Sequence, residues 1–215
     1  MEKLCNLAEV VEKAMKLSFS EIEHTLCGLH GIPSEAQTQF RARLRNLLRV
    51  GIDLPGGGRG RRANYHPADL FKLAFAVELL QAGVPPEKAA LSVARYWPKA
   101  VEQIFTVRKA LQDKSPIALY LVAEPRSLTE PLLTFRPETG EALAKRLANG
   151  GLALSTPRLV VINPAALLNS IPVFAAMAGV DMDAFGASLD HDQEIILTQG
   201  AQVGPVSGFI DPEGN

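Results

Sequence analysis

Residues 56–62 read Gly-Gly-Gly-Arg-Gly-Arg-Arg. This stretch has no apolar side chain to bury, and the backbone freedom of its glycines opposes both helix and strand, so it predicts an exposed loop or hairpin tip. The chain has to fold as separate blocks on either side of it. Ahead of the loop, Leu4, Leu7, Ala8, Val11, Ala14 and Met15 recur at helical spacing and predict a leading amphipathic helix over 2–17. Ser18 and Ser20 each stand three residues before a glutamate, Glu21 and Glu23, which offers two overlapping capping boxes for a helix running to about Leu29 and stopped by Gly31. Ser34 and Gln37 repeat the signal for a helix over 34–50, which Gly51 ends.

Behind the loop, Ala63, Asn64 and Tyr65 are placed to pair as a short returning strand. Pro67 suits a helix first turn, and Leu70, Leu73, Ala74, Val77 and Leu80 mark its buried stripe up to Gly83. Pro85 and Pro86 open the next helix, with Ala89, Ala90, Val93, Ala94 and Trp97 inward. Pro98 should interrupt it, leaving Val101, Ile104, Phe105 and Leu111 on a further segment to about Lys114. The second half has another texture. Short apolar runs at 117–122, 132–135, 158–162 and 194–198 have strand character, and 137–149 and 164–178 read as helices. With a boundary near 113–116, the expected class is α+β: a mostly helical unit over 1–114 and a small α/β unit over 115–215.

The net charge of −1 hides an asymmetry. Residues 1–40 hold 3 basic and 6 acidic groups, residues 41–72 hold 8 and 2, and residues 73–215 hold 11 and 15. One window is thus strongly cationic in an otherwise acidic chain, which points to a partner with negative charge. A hydrophobic content of 47% excludes a disordered chain, and no apolar run approaches the roughly 18 residues of a membrane helix. Residues 1–17 lack the charged start, apolar centre and cleavage site of a signal peptide, and Cys5 and Cys27 make no disulfide framework, so the expectation is a cytoplasmic protein without a membrane partner.

The chemistry concentrates in the window. On a helix over 34–50, Phe40, Leu44, Leu47 and Leu48 share the core side, Thr38, Arg41, Arg45 and Arg49 form a neighbouring stripe, and Gln39, Arg43 and Asn46 take the remaining side. A merely solvated arginine face would be interleaved with carboxylates, and after Glu35 this helix has none. One face of the helix is thus apolar and much of the rest offers guanidinium and amide donors, which suit phosphate oxygens and the guanine and adenine edges of a major groove. The loop adds Arg59, Arg61 and Arg62 beside glycines that let the backbone approach closely, which suits a wing along the DNA backbone or in a minor groove. A nucleotide-binding loop would need a Gly-Lys-Ser/Thr ending and a preceding apolar strand, and neither is present.

The order of these parts, with Arg43-Leu44-Arg45, "LLRVGI" over 47–52, a basic loop and "NYHPADLFKLAFAVELLQAGVPPEKAA" over 64–90, resembles the winged helix-turn-helix of MerR-like regulators over about residues 18–97. Tyr65, Asp69, Leu70, Leu80 and Gly83 carry the match. The resemblance implies that Arg41, Arg43, Arg45 and Arg49 lie on a groove-entering helix and that Arg59, Arg61 and Arg62 lie on the wing. It also implies that Asn64, Tyr65 and His66 stand where the wing returns and that Lys72 holds a phosphate from the next helix.

Other constellations point elsewhere less well. His24, Cys27 and His30 are spaced by three, but their directions drift by about 60° per step, which favours a partly buried cysteine with two ordinary histidines over a metal site. Asp181, Asp183, Asp190, His191 and Asp192 read as a solvated acidic surface rather than a cation or acid/base site, since no fixed ligand spacing is present. Phe174, Met177 and Phe185 read as core, with a ligand pocket or dimer interface as alternatives. With no catalytic motif, an enzyme and a cofactor are not expected. The expectation is a sequence-specific transcription regulator that binds double-stranded DNA as a homodimer. Residues 115–215, with 5 basic and 11 acidic groups, would serve self-association or a small-molecule or protein effector. The main alternative is a non-catalytic adaptor whose basic helix binds an acidic protein; an RNA-binding or ligand-responsive enzyme is disfavoured by the low aromatic content of 6%.

Overall fold

Helix α1 (Phe19–Leu29) begins at the first of the two expected capping boxes. The Ser18 N–H donates to Glu21 Oε2 at 2.6 Å and the Glu21 N–H donates to Ser18 Oγ at 3.2 Å, satisfying two amides that a helix start leaves open. The second box does not form, because Glu23 is buried and takes its partner from the next helix. The structure, a computed structural model, describes residues 15–52, 54, 64–115, 117–124, 132–148 and 159–202. The expected leading helix over 2–17 lies almost wholly outside the described residues, as does the basic loop with Arg59, Arg61 and Arg62.

Helix α2 (Gln37–Arg49) follows a single 3-10 turn at Ser34–Ala36. Here the Ser34/Gln37 box is replaced by a Ser34 hydroxyl that donates to Glu35 at 3.2 Å, so the first turn tightens instead of being capped. Helix α2 buries Phe40, Leu44 and Leu47, and Ile52 just beyond it is buried as well. Leu17 and Tyr65 pair in an antiparallel bridge, with N–H to O distances of 2.7 and 3.0 Å. Of the expected returning strand, Ala63 lies outside the described residues, and Tyr65 forms a bridge to the residue that precedes the α1 cap.

Helix α3 (Pro67–Gln81) is buried almost all round, by Leu70, Phe71, Leu73, Ala74, Phe75, Ala76, Val77 and Leu79, rather than along one stripe. Apolar residues on every side are the mark of a helix at the centre of a core. Helix α4 (Pro86–Gln112) runs unbroken through Pro98, where an interruption was expected. A proline inside a helix costs about 3 kcal/mol. Ala89, Ala90 and Val93 before it and Ala100, Val101, Ile104 and Phe105 after it bury on the same continuous helix, and that packing outweighs the lost hydrogen bond.

Strands β1 (Leu119–Glu124), β2 (Thr134–Thr139) and β3 (Val160–Ile162) form an antiparallel sheet in the order β2-β1-β3. Pro137 lies in β2 opposite Leu121, not in a helix, as an edge strand permits. Helix α5 (Gly140–Ala148) therefore starts three residues later than expected, with the Thr139 hydroxyl accepting from the Ala142 N–H at 3.1 Å. Helix α6 (Pro164–Met177) starts at Asn163, whose side chain accepts from the Ala165 and Ala166 amides. The expected last strand at 194–198 is instead part of helix α7 (Met182–Gln202). Asp181 caps that helix by accepting from the Asp183 and Ala184 amides, and Phe185 and Leu189 bury one turn apart, so propagation of a nucleated helix overrides the strand preference of Ile195 and Ile196.

The protein is mostly helical with a small antiparallel sheet, an α+β class. Among the described residues, most buried apolar side chains, from Leu17 to Leu189, belong to one cluster. Helix α6 packs on α1: a Cβ at Gly28 would stand 2.5 Å from Phe174 Cδ1, so the ring occupies the place of a side chain there. Among the described residues, no helix is long and apolar enough to cross a membrane.

Candidate nucleic-acid interface

With Phe40, Leu44 and Leu47 locked in the core, α2 turns Thr38, Gln39, Arg41, Arg43, Arg45 and Arg49 to solvent. Asn46 is half-buried. The helix keeps these groups on one rigid element, and their partners differ. Arg41 reaches back to α1, where its Nε donates to Glu23 Oε1 and Oε2, both at 2.8 Å. That hydrogen bond and the Glu23 charge hold the Arg41 guanidinium even more firmly protonated than usual. Arg45 lies over the Phe19 ring at 5.8 Å from its centre, and Arg49 donates to Asn46 Oδ1 at 2.8 Å. Arg43 makes no ion pair or hydrogen bond with a described residue, and no carboxylate of a described residue pairs with Arg45 or Arg49.

The structure divides the remaining sequence-predicted site residues. Asn64 is exposed and His66 is half-buried at the start of α3, where its N–H donates to Asp69 Oδ2 at 2.8 Å. Tyr65 is 3% exposed, and burial pushes its hydroxyl pKa up, so the ring serves the core beneath the loop rather than a groove. Lys72 is a correction: it is 5% exposed, with its ammonium 6.0 Å from the centre of the Trp97 ring, because α3 is the central helix and offers no outer face at that position. Arg59, Arg61 and Arg62 lie outside the described residues.

Glu23 was read from the sequence as a capping-box glutamate and not as part of the site. Its signal was its position: Ile22, Glu23, Leu26 and Cys27 occupy the buried side of α1, and a carboxylate among them demands a cation from a neighbouring element. The same burial, aided by Glu23, raises the Cys27 thiol pKa and leaves it an inert core group. His24 is exposed, whereas the His30 imidazole is buried with Nδ1 3.6 Å from Glu78 Oε1, and burial lowers its pKa to about 4.

The acidic cluster of α7 also separates into parts: Asp181 caps the helix, Asp190 pairs with Arg108 at 2.7 Å, and Asp192 is half-buried with its pKa raised mainly by desolvation. Among the described residues, no group of His, Cys, Asp and Glu is arranged to hold a metal ion. In comparisons with known proteins, no family model matches the chain, and no curated protein matches it.

Proposed function

We propose that the protein is a sequence-specific, double-stranded DNA-binding regulator of transcription, with α1 and α2 as a MerR-like helix-turn-helix and residues about 55–65 as its wing. The outer face of α2 carries this reading: Arg43, Arg45 and Arg49 stand beside Thr38 and Gln39, free of carboxylate partners among the described residues, on a helix whose opposite side is fixed in the core. A rigid helix with donors around its solvent side fits a major groove, where arginine recognises guanine and amide side chains recognise adenine. The described residues on either side of the basic loop are held in the core: Ile52 is buried, and Tyr65 is buried and pairs with Leu17 just ahead of α1.

In this reading Arg43 with Gln39 and Asn46 supplies base contacts, Arg45 and Arg49 contact phosphates, and Arg59, Arg61 and Arg62 follow the backbone or minor groove. One short groove-reading helix discriminates weakly, so a homodimer on two half-sites is part of the proposal, with self-association or an effector site in the more acidic half of the chain. Footprinting on genomic fragments around the protein's own gene tests it. A protected, two-fold symmetric site is expected. Absence of protection, with capture of an acidic protein in a stoichiometric complex, would replace the proposal by an adaptor role.

A further inference from the structure

Glu23 lies in the apolar side of α1 and is 3% exposed. A carboxylate in that position has to be neutralised, and Arg41 does so with a single nitrogen. Its Nε is shared between Oε1 and Oε2, while the Arg41 side chain as a whole remains 49% exposed. A guanidinium has five N–H donors in a planar fork. With Nε engaged, the four donors on Nη1 and Nη2 remain at the outer end of the fork. The contact to both carboxylate oxygens holds the direction of the Nε–H bond, so Arg41 has already lost part of the rotamer freedom that an unsupported surface arginine loses on binding.

We infer that Glu23 is a positioning residue that holds the Arg41 fork outward for end-on, bidentate donation to a guanine edge of the bound duplex; the inference rests on the DNA-binding reading above. End-on contact uses Nη1 and Nη2 for the O6 and N7 acceptors of guanine and leaves Nε for Glu23, so both sets of bonds coexist. The pair carries no net charge. Arg41 therefore adds orientation, and Arg43, Arg45 and Arg49 add the unneutralised charge that attracts phosphates. This division gives the Glu23 carboxylate two measurable effects: it lowers the affinity for any duplex, and it raises the preference for one.

Wild-type full-length protein is used to select duplexes from a random-sequence DNA library. The selected duplex and a scrambled duplex of equal composition then serve as probes in fluorescence anisotropy over a salt series. Glu23→Gln keeps the side-chain shape and releases the Arg41 charge. The expected result is tighter binding of the scrambled duplex, a salt slope steeper by about 1, and a selected-to-scrambled affinity ratio lower by about tenfold. Arg41→Lys keeps the charge and removes the fork, so the same roughly tenfold fall in the ratio is expected without a steeper slope. Reselection with either variant should lose a guanine preference at one position.

A ratio within about twofold of wild type in both variants overturns the inference, and so does equal weakening of both probes, which is what a purely structural pair would cause. If circular dichroism shows Glu23→Gln unfolded, Arg41→Lys alone decides. Wild-type protein that binds neither probe overturns the DNA-binding reading and this inference with it, whereas a selective wild type with unchanged variants removes only the role of Glu23.

Discussion

On α2, Arg43, Arg45 and Arg49 reach solvent without a carboxylate partner among the described residues, whereas on β2 and α5 Arg136 and Arg146 both close on Glu138. Arg136 Nε lies 2.6 Å from Glu138 Oε1, and Arg146 Nη1 contacts the same oxygen; the Glu138 and Arg146 side chains are about nine-tenths buried. Residue type does not separate the two groups; the position of the nearest carboxylate does. Residues 136 and 138 lie two apart on one face of a strand, so β2 supplies a partner to its own arginine. Helix α2 has no acidic residue, and among the described residues the carboxylate that reaches it, Glu23, comes from α1 and binds Arg41. An arginine buried together with its carboxylate, as Arg146 is, belongs to the architecture, whereas one that keeps outward donors, as the half-exposed Arg41 and the exposed Arg43 do, is available to a partner.

The contrast can be broken most forcefully at Glu138. Glu138→Ala takes that carboxylate from the buried Arg146 and from the more exposed Arg136, and urea denaturation should show a loss of about 3 kcal/mol, most of it from Arg146. A loss below about 1 kcal/mol would place the cluster with ordinary surface pairs and remove the distinction.

The basic face also needs a dry layer beneath it, and His30 tests that layer. Its folded pKa of about 4 lies below the unfolded value near 6.5, so the unfolded chain binds a proton in this interval that the folded protein does not. Stability from the buried neutral imidazole is complete above about pH 6.5 and falls by up to about 3 kcal/mol as pH drops to 4. Glu78, whose pKa is raised by burial, titrates with the opposite sign, so the comparison is between wild type and His30→Leu. The variant should show the flatter denaturation profile between these pH values; parallel profiles would mean that the imidazole is hydrated.

Gly28→Ala sharpens the comparison at smaller amplitude. The new methyl meets the Phe174 ring, and overpacking should cost about 1–3 kcal/mol by thermal or urea unfolding. An unchanged midpoint would mean that α6 does not brace α1. Arg43→Ala should have the smallest effect on stability, within about 0.5 kcal/mol, while abolishing sequence preference in anisotropy with a selected duplex. A stability loss as large as that of Glu138→Ala would make Arg43 architectural.

Local chemistry was legible in the sequence and long-range pairing was not. Ser18 and Glu21 are three residues apart, and their capping box formed as read. The apolar side of α2 follows from the spacing of Phe40, Leu44 and Leu47, and the exposed side follows by exclusion. Pro98 and Ile195 carry local preferences against helix, yet both lie in helices because residues on either side are buried together or propagate from a capped start. Lys72 reads as a surface cation until α3 is seen to be covered on all sides. Arg41 and Glu23 are 18 residues apart, and no periodicity connects them; only the packing of α1 against α2 does.

The most direct measurement of the central claim is the salt dependence of binding by wild-type protein to a duplex it has selected. If about five or six arginines of α2 and the loop engage phosphates, log K should fall linearly with log salt at a slope near −5 per subunit. A slope near zero, or no binding at low salt, would contradict a basic face built to hold DNA.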